Sequence, residues 1–241
     1  MMKNNNEKQI AVIVVSVAIL IAIISFSSYS TSNTDKPNKN TISDNEYVID
    51  KSDFVNGENL INEIPIENLN EEEMNGLLLM REEEKLARDV YTVLEEKWGM
   101  KIFSNIASSE QTHTNAVKTL LDRYGLEDPV KNDSIGAFTS DKISLLYKQL
   151  TERGEKSLLD ALIVGATIED LDINDLNKLI SETNNLDIVN VYENLNRGSR
   201  NHMRAFTKQI NRNGDNYTPQ YITKSEYDNI IGSGQEKGMR Q

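Results

Sequence analysis

Cysteine is absent from this chain of 241 residues. Its absence excludes disulfides, iron–sulfur clusters, thiolate zinc sites and anchoring as a lipoprotein. Histidine is nearly absent: the chain has two, His113 and His202. Positive charge is in deficit, with 26 Lys and Arg against 38 Asp and Glu and a net charge of −12. An acidic surface argues against nucleic acid and anionic lipid as partners, and most of these charges read as a solvated surface. Long apolar runs are limited to one. Ile10 to Phe26 carries no charge over 17 residues and follows Lys3 and Lys8.

That run sets the expected organisation. It is short for a spanning helix and long for a secretory apolar core. Residues 1–30 therefore read as a signal peptide or a membrane anchor, with small residues at 27–30 where cleavage can occur. Positive charge ahead of the run places the N-terminus in the cytoplasm and the rest outside, either secreted or anchored to the cell membrane. Residues 31–60 are rich in Asn, Ser, Thr, Asp and Lys and read as a flexible polar linker. Residues 61–241 remain for one domain with a sizeable core. Removing residues 1–30 takes away one net positive charge and leaves −13.

From residue 70 onward the apolar positions repeat at helical spacing. Asn70 with Glu73 reads as a cap and Gly99 as a stop, which predicts a first helix over 71–98. A second is expected over 102–124, ended by Gly125. A long connection, 125–156, holds Pro129, Gly136 and a short amphipathic helix near 141–152. Ser157 and Asp160 open a third long helix over 157–183, and a fourth follows over 186–212. The tail is extended at 217–221 and helical near 224–231. No strand pair and no solenoid repeat is found. Two short loops and one long crossover predict an all-α four-helix bundle with antiparallel neighbours.

The inward lines of these helices carry the chemistry. Glu84 lies on the first, Glu110 and His113 on the second, Glu169 on the third and His202 on the fourth. A lone buried histidine is ordinarily a hydrogen-bonded core residue. A buried carboxylate is costlier and needs a partner. Three inward glutamates and both histidines together are hard to satisfy without a cation. The spacing Glu110-x-x-His113 puts both side chains on one face, a turn apart. The set describes a dinuclear carboxylate metal site, and imidazole with carboxylate suits iron, manganese or zinc. A mononuclear site built on His113, His202 and one or two glutamates is the alternative. Tyr91, two turns after Glu84, is the candidate catalytic residue, by bonding a ligand or donating an electron; core packing is its plainer role. Arg88 and Asp89 either orient ligands or form an ion pair at the bundle edge. Gly165 and Gly198 permit close helix approach, and Trp98 belongs to the core. Glu82 and Glu83 read as solvated helix surface. Glu193 falls on the opposite face.

The order Glu84, Glu110-x-x-His113, Glu169, His202 resembles the ferritin-like superfamily, including rubrerythrin and bacterioferritin. Glu84-Lys-Leu-Ala-Arg88 is similar to the first-helix signature of rubrerythrins. More closely, four stretches resemble an uncharacterised family of prokaryotic ferritin-like domains of unknown function. They are Met80 to Tyr91, Ser109 to His113, Gly165 to Asp170 and Gly198 to His202, within residues 70–232. The resemblance implies a ferritin-like bundle with a non-haem di-iron site, two ions per chain, manganese being possible. It departs at Ser199, where the superfamily has a second Glu-x-x-His acid. Two divalent ions then bring +4 against −3, and Asp172, Glu83, a hydroxide or an external carboxylate must help. Typical rubrerythrins draw electrons from a cysteine-ligated domain that this chain lacks. Any electron donor is therefore separate, or iron is itself the reductant. The expected function is oxidation of ferrous iron or reduction of dioxygen or peroxide. The alternatives are metal sequestration without turnover and a metal-free helical binding module.

Overall fold

The structure, a computed structural model, describes residues 63–237. The expected export segment, 1–30, and polar linker, 31–60, lie outside the described residues. Six helices and no strand are present among the described residues. They are α1 (Glu71–Trp98), α2 (Lys101–Tyr124), α3 (Asp141–Gly154), α4 (Leu158–Glu182), α5 (Leu186–Arg212) and α6 (Lys224–Gly232). None of them is long and apolar enough to cross a membrane.

The ends follow from local chemistry. Asn70 accepts from Glu73 N, and the Glu73 carboxylate accepts from Asn70 N, a reciprocal cap that satisfies two orphan donors. The hydroxyls of Ser140, Ser157 and Thr223 cap α3, α4 and α6 in the same sense. Gly99 and Gly125, both with φ of 65°, end α1 and α2 in the left-handed conformation that glycine adopts without strain.

Four long helices form the bundle. The two-residue turn after Trp98 folds α2 back along α1, and the three-residue turn after Glu182 folds α5 back along α4. Thr183 donates to Glu73, and Arg123 to Asp187, so α1 starts and α2 ends where α4 ends and α5 starts. At the other end the Trp98 indole donates to the Gly154 carbonyl, which leaves Trp98 half-buried at the bundle edge. The connection from Gly125 to Ser157 therefore runs the length of the bundle.

This crossover changes the environment of α1. Every residue from Met80 to Tyr91 is buried, the charged ones included. Glu82 accepts from the backbone N–H of Thr139 and Ser140. Arg81 reaches Asp128. Arg88 reaches Asp89 and Asp133. Lys85, fully buried, donates to Asp89 at 2.5 Å and to the Ser134 carbonyl at 3.0 Å. Asp89 also accepts from Gly136 N. These side chains bind the crossover and satisfy its backbone. Glu82 is thus buried, not solvated; Glu83 is buried as well, without a bond to the crossover, and Arg88 and Asp89 form an ion pair.

The chain beyond α5 is tied down by one acid. Asp170 accepts from the Tyr217 hydroxyl and from the backbone N–H of Gln220, Tyr221 and Ile222. The apolar core divides into two clusters, one around Tyr91, Phe103 and Phe206, the other around Leu77, Leu120 and Tyr192. The ionisable residues at 84, 110, 113, 169 and 202 occupy the bundle interior with them, each at most 2% exposed.

Candidate metal centre

All five sequence-predicted ligands converge. His113 Nδ1 lies 2.7 Å from Glu110 Oε2 and 3.2 Å from Glu84 Oε2. His202 Nδ1 lies 2.9 Å from Glu110 Oε1 and 3.3 Å from Glu169 Oε2. Glu110 therefore stands between the two rings, one oxygen to each. The rings lie nearly parallel, centroids 5.7 Å apart. Two ligand triads result, Glu84–Glu110–His113 and Glu110–Glu169–His202, each with donor atoms within 4.8 Å of one another. They share Glu110.

Helix geometry explains the convergence. Glu110 and His113 leave α2 from successive turns of one face. Glu84 enters from α1, Glu169 from α4 and His202 from α5. Gly198 makes room: a Cβ there would lie 2.6 Å from His113 Cε1 and Nε2. Gly165 does the same for the Phe206 ring, at 2.4 Å. Gly198→Ala is expected to destabilise by about 1–3 kcal/mol through overpacking, although alanine is otherwise the better helix former. Thermal melting checks the sign. A stabilised variant would mean that the His113 ring is not held against α5.

Charge inside the cluster is unevenly shared. Burial opposes ionisation of Glu110, but His113 and His202 outweigh it and hold that carboxyl well below its ordinary range. Burial also disfavours both imidazolium ions. Glu110 and Glu84 nevertheless push the His113 ring well above its usual value, and Glu110 and Glu169 bring His202 to about 9. Glu84 and Glu169 each face one ring only. Burial dominates there, raising Glu169 and bringing Glu84 to about 8. Glu84 Oε1, Glu110 Oε1 and His202 Nε2 are buried without an aligned hydrogen bond. Carboxylates that crowd around ring nitrogens with oxygens to spare fit divalent cations placed between them.

Tyr91 reaches this cluster. Its hydroxyl donates to Glu169 Oε1 at 2.5 Å, while its ring packs on Phe206 at 5.4 Å between centroids. It therefore combines the ligand-bonding and the packing roles. Ser199, at the departure from the superfamily pattern, donates to Asp172 Oδ2. Asp172 comes from α4, one turn beyond Glu169, so a carboxylate from α4 stands beside the α5 position that lacks one. Glu83, read as surface in the sequence, is 6% exposed and lines a cleft together with Asp172 and the three glutamates. Its signal was its place beside Glu84 in the run Glu82–Glu84, which alone does not separate it from a solvated acid. Glu193 is exposed, as expected.

A cleft of about 450 Å³, partly open to solvent, leads to the three glutamates between α1, α3 and α4. Leu86, Leu146, Leu150 and Leu171 supply apolar walls.

Comparison with known proteins gives a family and no reaction. The chain is 61% identical over 181 residues to the uncharacterized protein MJ0754 of Methanocaldococcus jannaschii, which covers 75% of this chain and 98% of that protein. The crystal structure of hypothetical protein MJ0754 from Methanococcus jannaschii superposes with a TM-score of 0.71 at 62% identity, over 72% of this chain and 99% of the other. The family described as Uncharacterized protein domain (DUF2202) matches residues 73–234, through the whole helical domain. The chain belongs to the DUF2202 family.

Proposed function

We propose that this chain is a ferritin-like protein whose bundle holds two divalent ions, iron or manganese, and oxidises ferrous iron with dioxygen or peroxide. The observation that carries this reading is the position of Glu110, with one oxygen at each histidine ring. A carboxylate so placed can bridge two ions while Glu84 with His113 and Glu169 with His202 complete each side. Two ferrous ions supply two electrons, enough to take dioxygen and two protons to hydrogen peroxide.

The protein's own residues then have defined tasks. Glu110 fixes the spacing of the two positions and neutralises charge at both. His113 and His202 must give up their Nδ1 protons to bind. Tyr91 holds Glu169 in place and is the candidate electron donor. The cleft between α1, α3 and α4 has apolar walls of leucine and leads to the glutamates, a path that suits dioxygen or peroxide. The apolar segment Ile10 to Phe26 supports an extracytoplasmic location, secreted or anchored. The acidic balance supports metal ions and a separate electron donor as partners rather than nucleic acid.

The test is reconstitution of the full chain without oxygen, followed by metal counting and exposure to oxygen. At least two ferrous ions bound per chain, and one dioxygen consumed per pair at the centre, are expected. Tight binding with no oxygen uptake would replace oxidation by sequestration. No binding would leave the interaction-module reading.

A further inference from the structure

We infer that Glu83 and Asp172 form a third divalent-cation position in the cleft, beside the dinuclear centre. The position is defined by its place beside that centre and rests on the reading above.

Glu83 is the observation that requires a ligand. It is 6% exposed, and both of its carboxylate oxygens are buried without any hydrogen-bond partner. Burial without a partner strongly disfavours the ionised carboxylate. Protonation alone would leave the carboxyl without a hydrogen bond in this arrangement. Its neighbours are acids. The charged groups that act on it most strongly are Asp175, Asp172 and Glu84. No arginine or lysine is among the charged groups that act on it most strongly. The basic residues adjoining it in sequence, Arg81, Lys85 and Arg88, are engaged on the crossover.

The surroundings are built from hard oxygen atoms. Glu83 and Asp172 line the cleft together with the three glutamates of the centre. Asp172 is partly buried and keeps its Oδ2 on the Ser199 hydroxyl, which orients the carboxylate across the α4–α5 seam. Acceptor oxygens without donors, and no nitrogen ligand, suit manganese, magnesium or ferrous ion better than a soft metal. Such a position would also answer the missing acid at Ser199. Asp172 then faces the centre on one side and the third ion on the other.

The experiment is equilibrium dialysis of the full chain against Mn²⁺, with metal counted per chain. Wild type is expected to saturate at three, Glu83→Gln at two and Glu110→Gln at one. Glu83→Gln keeps shape and removes charge. Glu110→Gln leaves Glu83 untouched, so the proposal stands or falls even if the first variant does not fold. Wild type saturating at two, with Glu83→Gln also at two, overturns the third position and leaves the centre intact. One ion in wild type, retained by Glu110→Gln and lost in Glu83→Gln, overturns the dinuclear reading and keeps this position. No bound manganese overturns both.

Discussion

Glu110→Gln is expected to remove both ions of the centre together, with affinity for each falling at least about 100-fold, a loss of roughly 3 kcal/mol per ion. The expectation comes from the sharing of one carboxylate. Glu84 touches only the His113 side and Glu169 only the His202 side, whereas Glu110 reaches both rings. Glutamine keeps the volume and one acceptor oxygen, but its amide nitrogen turns a donor toward one of the two positions. It also deletes one negative charge of three facing four positive. Glu84→Gln and Glu169→Gln should each weaken one ion more than the other. Titration with Mn²⁺, with binding followed by calorimetry, separates the cases. A Glu110→Gln protein that loses only one ion of the centre would mean that Glu110 is not shared between the two positions. The fold should survive, because Glu110 contributes no apolar contact that glutamine lacks.

The five candidate ligands were legible because each sits on the inward line of a helix whose ends are marked by caps. Asn70 with Glu73 and the left-handed Gly99 and Gly125 place the helix bounds to within a residue. Once the bounds are set, the 3.6-residue period decides which side chains face inward. That period did not separate Glu82 or Glu83 from a solvated run. Periodicity sorts one helix into an inner and an outer face, and Glu82 to Glu84 spread over both. What buries the outer face of α1 is the crossover, and its course depends on contacts some fifty residues away in sequence, such as Thr139 N with Glu82. The lysine at 85 shows the same limit, since a fully buried ammonium becomes plausible only when Asp89 and the Ser134 carbonyl are seen beside it. Asp170 likewise reads as a helix acid until the tail folds its backbone amides onto it.

Metal-free protein is expected to lose stability as pH rises from about 6 to about 9, while the stabilisation by bound Mn²⁺ grows over the same window. The sign follows from proton counts. His202 stands at about 9 in the fold, against about 6.5 in an unfolded chain. The folded state therefore holds the extra proton between those values, and its contribution is complete below about 6.5 and lost through about 9. His113 is raised as well and acts in the same direction. Glu84, at about 8 against about 4.3 unfolded, also binds its proton more tightly in the fold, so stability again falls as pH climbs toward 8. Glu110 is shifted the opposite way and stays ionised throughout this window. Cations require the reverse protonation, with both rings neutral and the carboxylates ionised, so binding must expel the protons that stabilise the empty fold. At roughly 2–4 °C per kcal/mol for a domain of this size, the gap between metal-loaded and metal-free melting temperatures should widen by on the order of 10 °C from pH 6 to pH 8.5. Calorimetry of Mn²⁺ binding in buffers of different ionisation enthalpy should register the released protons directly. A metal-free melting temperature that rises with pH across the window, or binding that releases no protons, would mean that the rings are not held as imidazolium by Glu110, and the charge arrangement proposed for the centre would be wrong.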